Sequence, residues 1–204
     1  METFNTFSEA TRGQGLTIFD IDKTLFTSDT KINIKKDGKV VKRGVSSYYR
    51  LKSGEEFDYG EFKDAKRFAQ TASPIGRMLG KAKAIIKNAT KVGSKVIFVT
   101  ARADLDDKKI FINTFKAHGL DMSKVYVERA GNLGVVDTAQ NKQTVFKKYL
   151  DSGKYARVRM FDDGVTNLRA LLSLKDDYPD ITFEAWLVNP RGSISTVRWK
   201  SLQT

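Results

Sequence analysis

The sequence lacks cysteine altogether and contains one histidine and three prolines among its 204 residues. Without thiols the chain forms no disulfide and no thiolate metal site. A single histidine, His118, makes a histidine-rich zinc site implausible, and we expect His118 to be a helix C-terminal residue without a catalytic role. Any bound metal is therefore expected to be held by oxygen ligands.

Long apolar runs are also missing, and none approaches the length that a helix needs to cross a bilayer. Residues 1–14 do not have the basic-then-apolar layout of a signal peptide. We therefore expect a cytoplasmic protein with no membrane contact and no obligate protein partner, whose residues 1–14 form a flexible extension. The 40% hydrophobic and 11% aromatic content is typical of a folded domain.

Acidic residues are scarce relative to basic ones, and the formal net charge is +12. A basic excess of this size favours anionic partners. Between residues 31 and 52 a single acidic residue, Asp37, stands against eight basic residues, namely Lys31, Lys35, Lys36, Lys39, Lys42, Arg43, Arg50 and Lys52. Tyr48 and Tyr49 add stacking groups beside this charge, which predicts contact with a nucleotide or nucleic acid. A solvated surface is the alternative interpretation.

Short apolar segments alternate with helical patterns along most of the chain. The predicted strands are 16–19, 95–100, 124–128, 156–161 and 181–188, and the predicted helices are 59–70, 73–93, 104–118, 141–153 and 164–174. Ser73 and Pro74 are expected to be the N-cap and first residue of their helix. This alternation predicts an α/β fold with a doubly wound, Rossmann-like parallel sheet.

One segment interrupts the alternation, after the first strand. Asp37-Gly38 between two β-type runs predicts a tight hairpin there, followed by a helix. We therefore predict a core made of residues 15–28 and 73–204, with residues 29–72 inserted as a small basic cap.

Polar residues follow three of the predicted strands at the point where each ends. Asp20 and Asp22 follow the first strand, Thr100 the second, and the pair Asp162-Asp163 the fourth. Ligands of open α/β sheets bind at the carboxyl ends of the strands, so these side chains are expected to share one edge of the sheet. Lys142 opens the helix before the fourth strand and can reach the same edge. Clustered carboxylates need a compensating cation, for which Mg²⁺ is the preferred ion.

These residues resemble the four motifs of the haloacid dehalogenase superfamily of phosphohydrolases, in the family's order. They are DIDKTL at 20–25, Thr100 in VIFVTAR, Lys142, and FDDGVTN at 161–167. The resemblance implies an Mg²⁺-dependent phosphomonoesterase that acts through an aspartyl-phosphate. It covers roughly residues 15–28 and 73–190, and it says nothing specific about the inserted segment.

The resemblance also implies a role for each matching residue. Asp20 would be the nucleophile and Asp22 the general acid and base. Thr100 would bind a phosphoryl oxygen, and Lys142 would offset negative charge. The implied metal site draws on Asp20, Asp22, Asp162 and Asp163, with the ligation by Asp22 through its backbone carbonyl and the choice between Asp162 and Asp163 open. The implied substrate-binding positions are Lys23, Thr24, Ala101 and Arg102, with a surface salt bridge as the alternative for Arg102.

Two positions depart from the family pattern. Lys23 stands where many members have a small or apolar residue, and Asn167 stands where an acidic residue is common. Within this class the substrate is expected to be a nucleotide or a nucleic-acid terminal phosphate, or alternatively a small phosphorylated metabolite. A signalling receiver domain carries a similar residue set but in another order along the chain. A non-catalytic nucleic-acid-binding module is disfavoured by the intact set of predicted catalytic residues.

Overall fold

The computed structural model describes residues 14–45, 49–89, 93–133 and 137–198. Its strands are β1 (Gln14–Phe19), β2 (Phe26–Thr27), β3 (Asn33–Lys36), β4 (Lys39–Arg43), β5 (Glu55–Asp58), β6 (Ser73–Pro74), β7 (Lys95–Thr100), β8 (Val125–Arg129), β9 (Tyr155–Asp162), β10 (Thr182–Val188) and β11 (Ile194–Val197). Its α-helices are α1 (Ala65–Thr71), α2 (Gly76–Ala89), α3 (Lys108–Ala117), α4 (Thr138–Leu150) and α5 (Val165–Leu172).

Six strands form the central sheet, in the order β11-β10-β9-β1-β7-β8. All neighbouring pairs are parallel except β10 and β11. β1 lies in the middle, where Phe19 is in register with Phe98 of β7 and Phe161 of β9. The predicted α/β fold is confirmed to this extent: a mostly parallel sheet is flanked by helices.

Two hydrophobic clusters enclose the sheet, and alternate residues of β1 contribute to each. Leu16 and Ile18 pack with residues of α4 and α5. Phe19 packs in the other cluster with residues of α1, α2 and α3. Because both faces of the strands are covered, their sequences are nearly continuous apolar runs.

The segment between β2 and α1 contains a three-stranded antiparallel sheet in the order β4-β3-β5. The predicted hairpin at Asp37-Gly38 is confirmed, with φ of 51° and 73° at the two turn residues. Positive φ at both positions matches the twist of the flanking strands, which explains the Asp-Gly pair. Strand β5 was not predicted, and neither was β11.

Several predicted helix boundaries are wrong, and polar capping explains most of the differences. Ser73 is not an N-cap, because Ser73 and Pro74 pair with β2 and α2 begins only at Gly76. The predicted 59–70 helix is a 3₁₀ turn, Gly60–Phe62, followed by α1. Helices α3 and α4 begin after Asp107 and Asp137, whose carboxylates accept N–H bonds from the first turn.

Two predictions concern the ends and surroundings of the chain. Residues 1–13 of the predicted extension lie outside the described residues, and Gln14 is the first residue of β1. No helix in the described part of the chain is both long and apolar enough to span a bilayer.

Candidate active site

The candidate site lies at the carboxyl edge of the central sheet, around β1. Asp20 directly follows β1, and the two strands beside β1 end at Thr100 (β7) and Asp162 (β9). The chain runs outward from β1 to β7 and β8 on one side, and from β9 to β10 on the other. Strand order therefore reverses between β1 and β9, which is the place where open α/β sheets bind ligands.

Lys142 joins the two strands on either side of this reversal. Its Nζ donates to Asp20 Oδ1 and to Asp162 Oδ2, each at 2.7 Å, and the residue is 1% exposed. Asp137 caps α4 by accepting N–H bonds from Ala139 and Gln140, which sets Lys142 in the first turns of the helix. Burial alone would lower the pKa of Lys142, but the charges of Asp162 and Asp20 outweigh it and raise that pKa.

The carboxylates here carry more negative charge than Lys142 offsets. Burial is the main cause that raises the pKa of Asp20 well above its usual value, and the charges of Asp162 and Asp22 add to it against the opposing effect of Lys142. The pKa of Asp163 is raised to about 6, first by burial and then by Asp162, while Lys23 and Lys142 oppose the shift. The Lys142 ammonium is thus close to three neighbouring carboxylates, and Lys23 adds a second positive charge near Asp163.

Asp162 and Asp163 are adjacent in sequence but differ in their surroundings. Asp162 is fully buried: its Oδ2 accepts from Lys142, and its Oδ1 accepts from Gly164 N at 2.7 Å and Asn167 Nδ2 at 2.9 Å. Asp163 is partly exposed. A Cβ on Gly164 would lie 2.9 Å from Asn167 Nδ2, so a side chain there would disturb these bonds.

The donor set of this edge fits a hard divalent cation. One carboxylate oxygen from each of Asp20, Asp162 and Asp163 lies within 4.8 Å of the others. Carboxylate oxygens are ligands of the kind that Mg²⁺ prefers. Both carboxylate oxygens of Asp162 already accept hydrogen bonds, from Lys142, Gly164 and Asn167. The oxygens that remain for a metal are therefore mainly those of Asp20 and Asp163.

Asp22 faces a different cation, Arg102. Arg102 Nε donates to Asp22 Oδ2 at 2.9 Å, and Nη2 donates to Oδ1 at 2.6 Å. The guanidinium is buried, whereas the Asp22 side chain is 29% exposed. Thr100 Oγ1 lies 3.5 Å from Asp22 Oδ2 and accepts the backbone N–H of Arg102 at 3.1 Å. Arg102 therefore forms an ion pair in which its own guanidinium is buried, rather than the surface salt bridge considered from the sequence.

The remaining predicted substrate-binding residues differ in their exposure and in their contacts. Lys23 is exposed and adopts a left-handed backbone conformation, with φ of 59°. Thr24 is fully buried, and its hydroxyl has no hydrogen-bond partner among the described residues. Ala101 is exposed, and its carbonyl is so close to Gly131 that a Cβ there would lie 2.3 Å away. His118 is the C-cap residue of α3, and its ring centroid lies 5.1 Å from that of Phe26.

Much of the basic charge between residues 31 and 52 is paired. Acidic residues of β5 and the turn after it supply partners, so that Lys35 pairs with Asp58 and Arg43 with Glu61. Lys42 donates to the Tyr49 hydroxyl at 2.9 Å and lies over the Tyr49 ring. Tyr48 lies outside the described residues. The acidic residues that follow position 52 therefore weaken the positive field that the segment alone would produce.

Sequence reasoning missed the partner of Arg102 and the two donors to Asp162. Arg102 and Asp22 lie 80 residues apart, and no local pattern links them. Gly164 and Asn167 had a usable signal, because a glycine and an amide after an Asp pair fit a turn that binds a carboxylate. Comparison of the sequence with protein-family models and with curated proteins found no match, so the chemistry of the site rests on the arrangement of these residues.

Proposed function

We propose that this chain is an Mg²⁺-dependent phosphomonoesterase of the haloacid dehalogenase type, acting in the cytoplasm through an aspartyl-phosphate. The observation that carries the proposal is the ammonium of Lys142, which holds a carboxylate from each of two neighbouring strands where strand order reverses. Asp22 and Thr100 lie beside it. Together these residues form the four-motif set that the sequence resembles.

We propose in addition that the core is a doubly wound, Rossmann-like sheet and that residues 29–72 form a cap. Support for the winding comes from strand order on both sides of β1 and from the two clusters that alternate residues of β1 enter. Support for a cap comes from the insertion's position, since it begins shortly after the segment that carries Asp20 and Asp22, with only β2 between them. Its sheet is separate from the central one.

Asp20, Asp163 and the backbone carbonyl of Asp22 would hold the Mg²⁺ ion, with Asp162 fixing their surroundings. When bound, the ion would neutralise charge on the phosphoryl oxygens and on the clustered carboxylates. Lys142 remains necessary beside it, because its two bonds fix the nucleophile and Asp162 in one arrangement.

The chain's own residues would divide the reaction into two displacements. The free carboxylate oxygen of Asp20 attacks phosphorus, the bond to the leaving oxygen breaks, and Asp22 gives that oxygen a proton. Water then attacks the aspartyl-phosphate, Asp22 takes a proton from it, and Asp20 is released with inorganic phosphate. Thr100 and Lys142 would stabilise the charge on the transferred group.

The substrate is proposed to be a nucleotide or a nucleic-acid terminal phosphate, with the basic insertion as its contact. One observation favours the alternative of a small phosphorylated metabolite. Lys35 and Arg43 are already ion-paired within the insertion and so contribute less to binding a polyanion. In both cases the bond broken is a phosphomonoester.

Hydrolysis of an aryl phosphate by the purified protein tests the proposal. We expect turnover with Mg²⁺, reversible loss in excess chelator, and loss on the order of 10⁴-fold or more in Asp20→Asn, the scale of removing a nucleophile. Asp37→Asn, which changes an exposed aspartate in the hairpin turn, is the matched control and should retain activity. Turnover by folded Asp20→Asn protein, or full activity in chelator, would refute the mechanism.

A further inference from the structure

The Arg102 guanidinium is the largest buried polar group at the site whose role the reaction above does not assign. It is 1% exposed, and each of its three nitrogens donates to a protein oxygen. A buried guanidinium is tolerated only when its charge is paired and its donors are satisfied. Both conditions are met by protein groups alone, which leaves Arg102 poorly placed to bind a substrate phosphate.

The partners of Arg102 come from two separate parts of the chain. Two of its nitrogens hold the Asp22 carboxylate as a bidentate pair. The remaining hydrogen bonds of its side chain are with the insertion or the chain leading into it. Nη1 donates to the Phe62 carbonyl at 3.1 Å, and Nη2 lies 3.3 Å from the Thr30 hydroxyl and 3.5 Å from that of Ser28.

Aromatic rings of the same region fix the plane of the guanidinium. Its central carbon lies 4.7 Å from the Phe68 ring centroid in α1 and 5.2 Å from that of Phe62. A planar fork held on rings can meet a carboxylate in only a narrow range of orientations. The orientation of Asp22 is therefore set by groups that belong to residues 28–68.

A second contact ties the loop that carries Arg102 to the same region. Asp106 N donates to the Lys63 carbonyl at 3.0 Å, and Asp106 Oδ1 accepts from Ala65 N at 2.8 Å. The loop after β7 and the start of α1 thus hold each other at Asp106, in the same loop as Arg102. Movement of the insertion cannot leave the Arg102 contacts unchanged.

We propose that Arg102 is a positioning residue for proton transfer, which holds the Asp22 carboxylate in one orientation beside Thr100 and makes that orientation depend on the insertion. This inference rests on the proposed phosphomonoesterase function. In the first displacement the proton passes from the Asp22 carboxyl group to the leaving oxygen as the P–O bond breaks, and the fork of Arg102 receives the carboxylate that results. In the second, the same carboxylate accepts a proton from the attacking water.

Proton donation matters most when the leaving group is a poor one, which separates this role from phosphate binding. Loss of Arg102 should therefore slow hydrolysis of an alkyl phosphate more than that of a nitrophenyl phosphate. A residue that bound the phosphate, or that only stabilised the fold, would affect both substrates alike. The dependence of rate on the leaving group is thus the informative measurement.

The experiment compares Arg102→Lys and Arg102→Met with wild type on both substrates, with and without Asp22→Asn. We expect the alkyl phosphate to lose at least about tenfold more than the aryl phosphate, a part of the roughly 10²–10⁴-fold that a positioned acid supplies. In the Asp22→Asn background the Arg102 substitutions should cost little more, because the two residues act as one unit. Equal losses on the two substrates, or additive losses in the double variants, would overturn the inference.

Arg67→Lys is the matched control, since Arg67 also ties α1 to the start of the insertion, through Asp29 and Glu61, without contacting Asp22. It should leave the ratio of the two rates unchanged, and a changed ratio would count against the inference.

If the Arg102 variants do not fold, Thr30→Val with Ser28→Ala removes two hydroxyls next to the guanidinium. This pair should shift the ratio in the same direction by a smaller factor, and an unchanged ratio would again overturn the inference. Wild type inactive on both phosphates would refute the proposed function itself, whereas an active wild type with an unaltered ratio in the variants would refute only the role of Arg102.

Discussion

Asp20 and Asp22 are two positions apart, yet each meets a buried cation of a different kind. Lys142 reaches Asp20 from α4 and bonds a second carboxylate, Asp162, on the neighbouring strand. Arg102 reaches Asp22 from the loop after β7 and bonds the insertion. The first cation therefore connects two strands of the sheet, and the second connects the sheet to residues outside it.

The chemistry of each side chain fits its location. The Lys142 ammonium is a compact charge that can satisfy two carboxylates at once in different directions. The Arg102 guanidinium is flat, so it can grip one carboxylate with two bonds and still pack on Phe62 and Phe68. Asp20, the proposed nucleophile, thus has a cation that balances its charge. Asp22, the proposed acid and base, has a cation that holds its carboxylate in one orientation.

The largest effect should follow from removing the cation that joins the strands. Lys142→Met leaves Asp20 and Asp162 buried without compensation, which should cost about 3–5 kcal/mol of stability in chelator. It should also lower kcat by about 10²–10³-fold on alkyl and aryl phosphates alike, as loss of a preorganised electrostatic donor does. Urea unfolding and steady-state kinetics measure the two quantities.

Lys148→Met is the control for this change, because Lys148 lies on the same helix and pairs with Glu128 at the surface. It should alter stability and kcat only slightly. Substitutions of Arg102 are expected to change the ratio of the alkyl to the aryl rate, whereas Lys142→Met is not. A changed ratio in Lys142→Met would contradict this difference between the two cations.

An intermediate effect should separate Asp162 from Asp163. The oxygens of Asp162 already accept hydrogen bonds from Lys142, Gly164 and Asn167, so we expect Asp163 to be the direct metal ligand. Asp163→Asn should therefore raise the Mg²⁺ concentration needed for half-maximal activity. The increase should be at least roughly 10–100-fold, the effect of losing a residue that only supports a ligand. Asp162→Asn should instead lower the stability in chelator more than Asp163→Asn does. The measurements are Mg²⁺ titrations of activity and urea unfolding. A larger metal requirement for Asp162→Asn, with stability unchanged, would reverse the assignment.

The smallest effect should come from exposed cations of the insertion, in contrast to the two buried ones. Lys36, Lys39 and Lys52 are exposed, and none of them forms an ion pair with another residue in the described part of the chain. If they guide a polyanion, reversing all three to Glu should lower kcat/KM for an oligonucleotide terminal phosphate by about tenfold or more, and wild-type kcat/KM should fall steeply as salt rises. An aryl phosphate should be hydrolysed almost normally by the same variant.

The matched variant reverses Lys116, Lys154 and Lys175, which are exposed near the opposite edge of the sheet. It should leave both substrates unaffected. Equal losses on the two substrates in the insertion variant, or parallel salt dependences, would favour the small-metabolite alternative over a nucleic-acid end.

The parts of the fold that the sequence predicted are those with a strong local signal. Apolar strands such as 95–100 were located because both faces are buried, and the Asp37-Gly38 turn because few other residues adopt its backbone conformation. Helix starts were predicted poorly, since Asp107 and Asp137 are only two of many aspartates that could cap a helix. Strands β5 and β11 lie at sheet edges and have no comparable apolar pattern, so their pairing follows from tertiary contacts.

At the candidate site, the sequence by itself determined which chemistry is present: carboxylates, a threonine and a lysine at strand and helix ends, and no thiol to compete for a metal. It could do so because parallel strands deliver their final residues to a common edge. Only the tertiary structure decided how the charges pair. It assigned Lys142 to both Asp20 and Asp162, left Asp163 accessible, and turned Arg102 toward Asp22 and the insertion. Those pairings depend on distances between residues far apart in the chain, and on burial that requires each cation to find an anion.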